Sequence, residues 1–167
     1  MEDGSDEPES ITLSLIRHIV EKYGYKNIIT VGTSKGGTAA IYFGLEINAI
    51  HIFSGACQYY VGSYLNRDSH MQILKRMIGD KDLEEQVFYL NKKLCSQIEK
   101  YKDNHGRIHL FYSTNELTYE RQTIYLMDTL RRNGYDFEQE IASFEDHSEV
   151  GTYFIPYMQN WFSKNGY

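Results

Sequence analysis

The sequence predicts an α/β fold, a parallel sheet of about four strands with helices on both faces, and three observations predict it. Short β-branched runs alternate with longer segments of helical periodicity, and glycines mark many of the junctions. With 41% hydrophobic and 14% aromatic content, the 167 residues can also bury one core. Parallel neighbours need crossover connections, and the intervening helices supply them.

The elements follow in order. Leu13, Ile16, Ile19, Val20 and Tyr23 recur at helical spacing between the capping residue Ser10 and Gly24, which predicts a helix over 11–23. Asn27 to Val31 reads as a buried strand, and Gly32-Thr33-Ser34-Lys35-Gly36-Gly37 turns the chain into a small-residue helix over about 35–45. A second strand covers 49–53. Residues 66–103 are charged, with Leu, Ile and Met at helical spacing and a break at Gly79-Asp80, so two helices are expected at about 69–78 and 82–101. A third strand at 107–112, a helix at 118–133, a fourth strand at 137–143 and a helix at 149–162, bent at Pro156, complete the series. The first ten residues are expected to be an acidic, disordered start, and 11–167 one domain with a helical insertion at 66–105.

Composition excludes several functions. Of the 23 acids, Glu2, Asp3, Asp6, Glu7 and Glu9 fall in the first ten residues, which leaves 18 acids against 17 bases elsewhere. A body so nearly neutral offers no basic face to a phosphate backbone, so no nucleic acid is expected. Cys57 and Cys95 are too few for a disulfide framework and lack the neighbours of a metal cluster, so no metal and no cofactor are expected. The amino terminus has neither a basic nor an apolar region of the secretory kind, and polar residues interrupt the uncharged stretch 47–66. A soluble cytoplasmic protein without a membrane span is the expectation.

In parallel α/β sheets the chemistry sits at the carboxyl ends of the strands. After the first strand stands Gly32-x-Ser34-x-Gly36, flanked by a β-branched run and by Gly37-Thr38-Ala39-Ala40. A sharp turn of small residues there would push a serine hydroxyl out above the sheet. Such a hydroxyl needs a base, and the base needs an acid to orient it. Glu116 follows the third strand and His147 the fourth, which gives the order serine, acid, histidine. The other histidines fit less well. His51 and His109 fall inside strands, His18 and His70 on helices, and His105 at the wrong end of its strand.

These residues resemble the α/β-hydrolase superfamily over about 11–163, with Gly32-Thr33-Ser34-Lys35-Gly36 as the nucleophile elbow. The resemblance implies the carboxyl-terminal half of that fold with a helical lid. Ser34 would be the nucleophile, Glu116 the acid, His147 the base, and the Lys35 backbone N–H one oxyanion donor. Val31 to Thr38 and Ser54 to Tyr64 are further similar to hydrolase-like proteins of bacterial capsular polysaccharide biosynthesis and accessory glycoprotein secretion. One departure stands out: no strand loop upstream of the elbow is visible to supply a second oxyanion donor, whose loss costs about 100- to 1000-fold in rate.

Each residue also has a plainer reading. Ser34 could cap a helix, and a glycine-rich turn could hold phosphate, although the spacing of a nucleotide loop is missing. Glu116 could be a first-turn acid, Asp146 a solvated loop charge, and Met71, Leu74, Met77 and Ile78 lid core. Gln58, Tyr59 and Tyr60, after the second strand, are candidates for substrate contact, with Tyr64 beside them; plain packing is their alternative. The expected activity is a serine esterase-type hydrolase or acyltransferase acting on an acyl ester, carbohydrate-linked in the favoured version. The alternative is a non-catalytic binding or assembly module in polysaccharide or glycoprotein processing. An open sheet edge predicts a covering partner, either a second copy or an amino-terminal domain.

Overall fold

The computed structural model of the chain describes residues 1–104 and 106–167; His105 lies outside the described residues. The helices are α1 (Glu7–Tyr23), α2 (Lys35–Glu46), α3 (Val61–Leu65), α4 (Met71–Ile78), α5 (Leu83–Lys100), α6 (Ile124–Arg132) and α7 (Val150–Asn165). The strands are β1 (Ile29–Thr33), β2 (His51–Gly55), β3 (Arg107–Ser113) and β4 (Phe137–Ala142). All four are parallel, in the order β1-β2-β3-β4. The chain therefore crosses the sheet in one direction and every strand ends on the same rim.

The first two strands lie two residues later than their sequence pattern suggests. Gly32 is a poor strand former, yet it pairs with Ser54, and Thr33 beyond it pairs with Gly55. Ladder partners outweigh local propensity there. The shift matters, because it leaves no loop between β1 and Ser34.

Two clusters sandwich the sheet. Ile41 and Leu45 of α2, Leu94 and Ile98 of α5, and Leu126 and Leu130 of α6 pack on one face. Phe53, Phe111, Phe144 and Phe154, with Trp161 against them, fill the other under α7, which runs through Pro156. A third cluster, with Leu65, Leu74, Ile78 and Leu90, joins α3, α4 and α5. The helical insertion is thus not a separate layer, since α5 belongs to the main core as well. Asp82 caps α5 by accepting from Glu85 N at 2.9 Å. The short α3 escapes sequence periodicity; it fits because Gly62 approaches α5 so closely that a Cβ would meet Val87 O at 2.2 Å.

The expectation of a disordered acidic start differs from the structure. Asp3 and Gly4 donate to the carbonyls of Arg76 and Met77 at 2.9 and 2.8 Å, and Asp6 pairs with Lys93 at 2.8 Å. The bases that receive this segment sit on α4 and α5, far away in sequence, so local composition could not reveal them. Helix α1 begins at Glu7, with Pro8 and two acids suiting its first turn. Its apolar stripe stays open, with Ile11 60% and Leu15 57% exposed. No helix among the described residues is long and apolar enough to cross a membrane.

Candidate active site

Ser34 joins β1 directly to α2, and the junction is tight. Its φ of 54° and ψ of −126° lie where a non-glycine residue costs about 1–3 kcal/mol. The strain is held from outside: Ser34 N–H donates to Gly55 O on β2 at 2.7 Å. Gly32 is required by space, because a Cβ there would lie 2.1 Å from Gly36 O. Gly37 is the second tight position, against Cys57 and Ser54, whereas Gly36 faces open space. The steric demand thus sits one residue beyond the glycine of the sequence motif. Lys35 opens α2, so its N–H has no acceptor within the helix and sits where the helix dipole favours negative charge.

Ser34, Glu116 and His147 meet at the rim. His147 Nε2 lies 2.8 Å from Ser34 Oγ, and His147 Nδ1 lies 2.6 Å from Glu116 Oε1. A consistent proton arrangement follows: Nδ1–H donates to the carboxylate, and Nε2 accepts from the serine hydroxyl. Glu116 is 5% exposed and also accepts from the Thr118 hydroxyl, while the His147 side chain is 30% exposed. The loops carrying these two residues are tied together, since the Ser113 hydroxyl donates to Phe144 O at 2.5 Å.

His147 begins a 3₁₀ turn, His147–Glu149, which leads into α7. Asp146, read from sequence as a solvated charge, caps that turn. Its Oδ1 accepts from Ser148 N at 2.8 Å, and Glu149 reaches back to Asp146 N at 3.1 Å. The bonds from Ser148 hold the Asp146 carboxyl below its ordinary pKa. The Asp-x-x-Glu spacing of a capping box was the signal for this role.

Gln58 is 2% exposed and donates from Nε2 to Ser34 Oγ at 3.0 Å. Its backbone is pinned to α2 from both sides, as N–H donor to Thr38 Oγ1 at 3.1 Å and as carbonyl acceptor at 2.8 Å. Tyr59 and Tyr60, expected beside the substrate, are placed elsewhere. Tyr59 is buried in the main core with its hydroxyl 2.7 Å from Thr129 Oγ1. Tyr60 packs on Tyr59 and Tyr125, and its N–H donates to Gln122 Oε1 at 2.7 Å. The turn into α3 swings both rings toward α6 and leaves Tyr64 near the rim. Thr118 carries no signal of its own in the sequence.

Two chambers flank the Ser34–His147 pair. One, about 430 Å³, has Ser34 in its wall and is lined mainly by apolar side chains of α2, α3, α4 and α5. The other, about 260 Å³, is lined by Glu116, His147, Arg67, Arg121 and Asp146 among others. Tyr64 lies in the wall of both.

No protein-family model matches the sequence, and no curated protein does. Solved structures do. A capsule O-acetyltransferase of Neisseria meningitidis serogroup A matches with a TM-score of 0.77 at 21% identity, over 90% of this chain and 63% of that one. The chain has an α/β-hydrolase-like fold. The Gap123 glycosylation-associated complex of Streptococcus agalactiae matches at 0.73 and 20% identity, over 96% of this chain and 34% of that one. The fluorophosphonate-binding serine hydrolase FphF of Staphylococcus aureus matches at 0.63 and 14% identity, over 92% and 62%. The chain therefore spans less than two thirds of the length of each of these structures.

Proposed function

We propose that the chain is an acyl-transferring or acyl-hydrolysing enzyme with Ser34 as nucleophile, His147 as base and Glu116 as the acid that orients it. The unbroken line of hydrogen bonds from Gln58 through Ser34 and His147 to Glu116 carries this reading. Ser34 Oγ accepts from Gln58, so its own proton is free to point at His147 Nε2. Attack of Oγ on an acyl carbonyl transfers that proton to Nε2, and collapse of the tetrahedral species returns it to the departing alcohol or thiol. The Ser34 ester is then cleaved by water or by a hydroxyl acceptor, with His147 again taking and returning the proton. The Lys35 N–H receives the developing negative charge on the carbonyl oxygen.

A carbohydrate hydroxyl is the acceptor we favour. Support comes from the polar chamber, where Arg67, Arg121 and Asp146 offer donors and acceptors, and from the likeness to a capsule O-acetyltransferase. The test is a fluorophosphonate probe on the full chain. Labelling at Ser34 that is lost in Ser34→Ala is expected; an unlabelled folded protein overturns the reading.

A second reading, a non-catalytic module assembled with another polypeptide, rests on a separate observation. Strand β1 is a sheet edge, Val31 on it is exposed, and the stripe Ile11, Leu15, Ile19 of α1 is exposed as well. Open edges and apolar stripes of this kind favour a covering partner. Glycan binding unchanged by Ser34→Ala, together with no turnover of activated esters, would support that reading; turnover would remove it.

A further inference from the structure

The larger chamber has more room than an acetyl group needs, and its lining says what it takes. It follows one side of α2 from Ser34 past Ala39 to Tyr42 and Phe43, walled by Val61 and Leu65 of α3 and by Leu90 and Leu94 of α5. The wall is apolar for most of this path. At the Tyr42 end the character changes: Lys93, paired with Glu9 and Asp6, lies 5.8 Å from the centre of the Tyr42 ring. Burial and the Glu9 carboxylate push the Tyr42 hydroxyl up to about 12, so it stays neutral beside that cluster. The chamber is thus a slot with a reactive hydroxyl at one end and a polar stop at the other.

We infer that this slot binds the acyl group itself, and that the protein selects medium-chain acyl groups of about eight to ten carbons over acetyl. The inference rests on the acyl chemistry proposed for Ser34 and deepens it. From residue 34 to residue 42 a helix advances about 12 Å. An extended chain advances roughly 1.2 Å per bond, from the 3.3–3.6 Å spanned by three backbone bonds, so about ten atoms fit before the polar stop. Volume agrees. An apolar cavity of about 150 Å³ accommodates benzene, and 430 Å³ therefore has room for a ten-carbon chain. An acetyl group would leave most of the slot without partners. A chain much beyond ten carbons would have to displace the Lys93 pairs or leave the slot.

The polar chamber on the other side of His147 complements this assignment. It leaves a separate approach for a water or hydroxyl acceptor while the acyl chain occupies the slot.

The experiment is a series of p-nitrophenyl esters from acetyl to palmitoyl on the intact chain. The value of kcat/KM should climb by up to about fourfold per methylene, the factor that burying one CH₂ carries, peak near eight to ten carbons and fall beyond. Ala39→Phe, which fills the slot midway, should move the optimum at least four carbons shorter and lower the decanoyl-to-acetyl ratio tenfold or more. Leu94→Trp does the same from the opposite wall if Ala39→Phe fails to fold. Turnover that is best for acetyl overturns the slot and leaves the Ser34 chemistry standing. If no ester is turned over, the slot is still tested by binding to the Ser34→Ala protein. Decanoate should bind at least a hundredfold more tightly than butyrate, and equal or absent binding overturns the slot by itself.

Discussion

Two histidines, one in the turn that follows β4 and one inside β3, each stand beside a carboxylate, and only the first faces a hydroxyl. His147 Nδ1 lies 2.6 Å from Glu116, and His109 Nδ1 lies 3.1 Å from Glu138 Oε2, out of line for a hydrogen bond. The difference lies at the second nitrogen. At His147 it meets the Ser34 hydroxyl, whereas at His109 it meets another imidazole, His51 Nδ1, at 3.0 Å. His109 is fully buried mid-strand, stacked on Phe53 at 4.1 Å with the edge of Trp161 nearby, and burial lowers its pKa to about 4. A histidine at a strand end can be reached by side chains from other strand ends. One inside a strand is committed to packing.

The largest expected effect separates the two sites outright. Ser34→Ala or His147→Ala should cut kcat by about 10⁴-fold or more, read with an activated ester, while His109→Phe leaves kcat within about twofold. Comparable losses at both histidines would erase the distinction.

The carboxylates come next. Glu116→Gln removes the charge that steadies the imidazolium and should cost roughly 10³- to 10⁴-fold in kcat with the circular dichroism spectrum unchanged. Glu138→Gln, tested in the same assay, should change little. An active Glu116→Gln protein would assign orientation of His147 to another group, and Thr118 is the first to test.

Gln58→Leu sharpens the comparison from the serine side. Removing one neutral hydrogen bond to Oγ should lower kcat by about tenfold and leave KM nearly unchanged. A change confined to KM would make Gln58 a substrate contact instead.

A separate effect, on stability and not on rate, belongs to the buried His109. His109 titrates at about 4 when folded and near 6.5 when unfolded, so above pH 6.5 both states are neutral and its contribution is fully present. As pH falls from 6.5 toward 4 the unfolded chain takes up the proton first, and up to about 3 kcal/mol of stability is lost. Urea midpoints at pH 7.5 and 4.5 should converge in His109→Phe relative to the unaltered protein. An identical pH slope in both would show that His109 is not the group responsible.

Much of the candidate site was legible because the turn at Ser34 is local. Glycines at 32 and 37, a β-branched run before them and small residues after favour a strand-to-helix turn, and the strand-end rule then selects Glu116 and His147 as candidates. Tyr59 and Tyr60 were misread because position after a strand does not fix the direction of a ring. The five-residue α3 turns both toward Thr129 and Tyr125. Asp146 was readable as a cap, since its partner Glu149 is three residues away. Thr118 and the docked acidic start were not, because Thr118 stands beside His147, 29 residues further on, and the start docks on Arg76, Met77 and Lys93.

The amino-acid order by itself determined the alternation of strands and helices, the turn that lifts Ser34, and the candidate set of serine, acid and histidine. These rest on interactions among residues close in sequence, where propensity and sterics act directly. Only the tertiary structure decided that His147 and not His109 meets a hydroxyl, that Gln58 lies against Ser34, and that α2, α3 and α5 wall a chamber of about 430 Å³. Those outcomes depend on helices and strand ends brought together across scores of residues, by packing that no local pattern encodes.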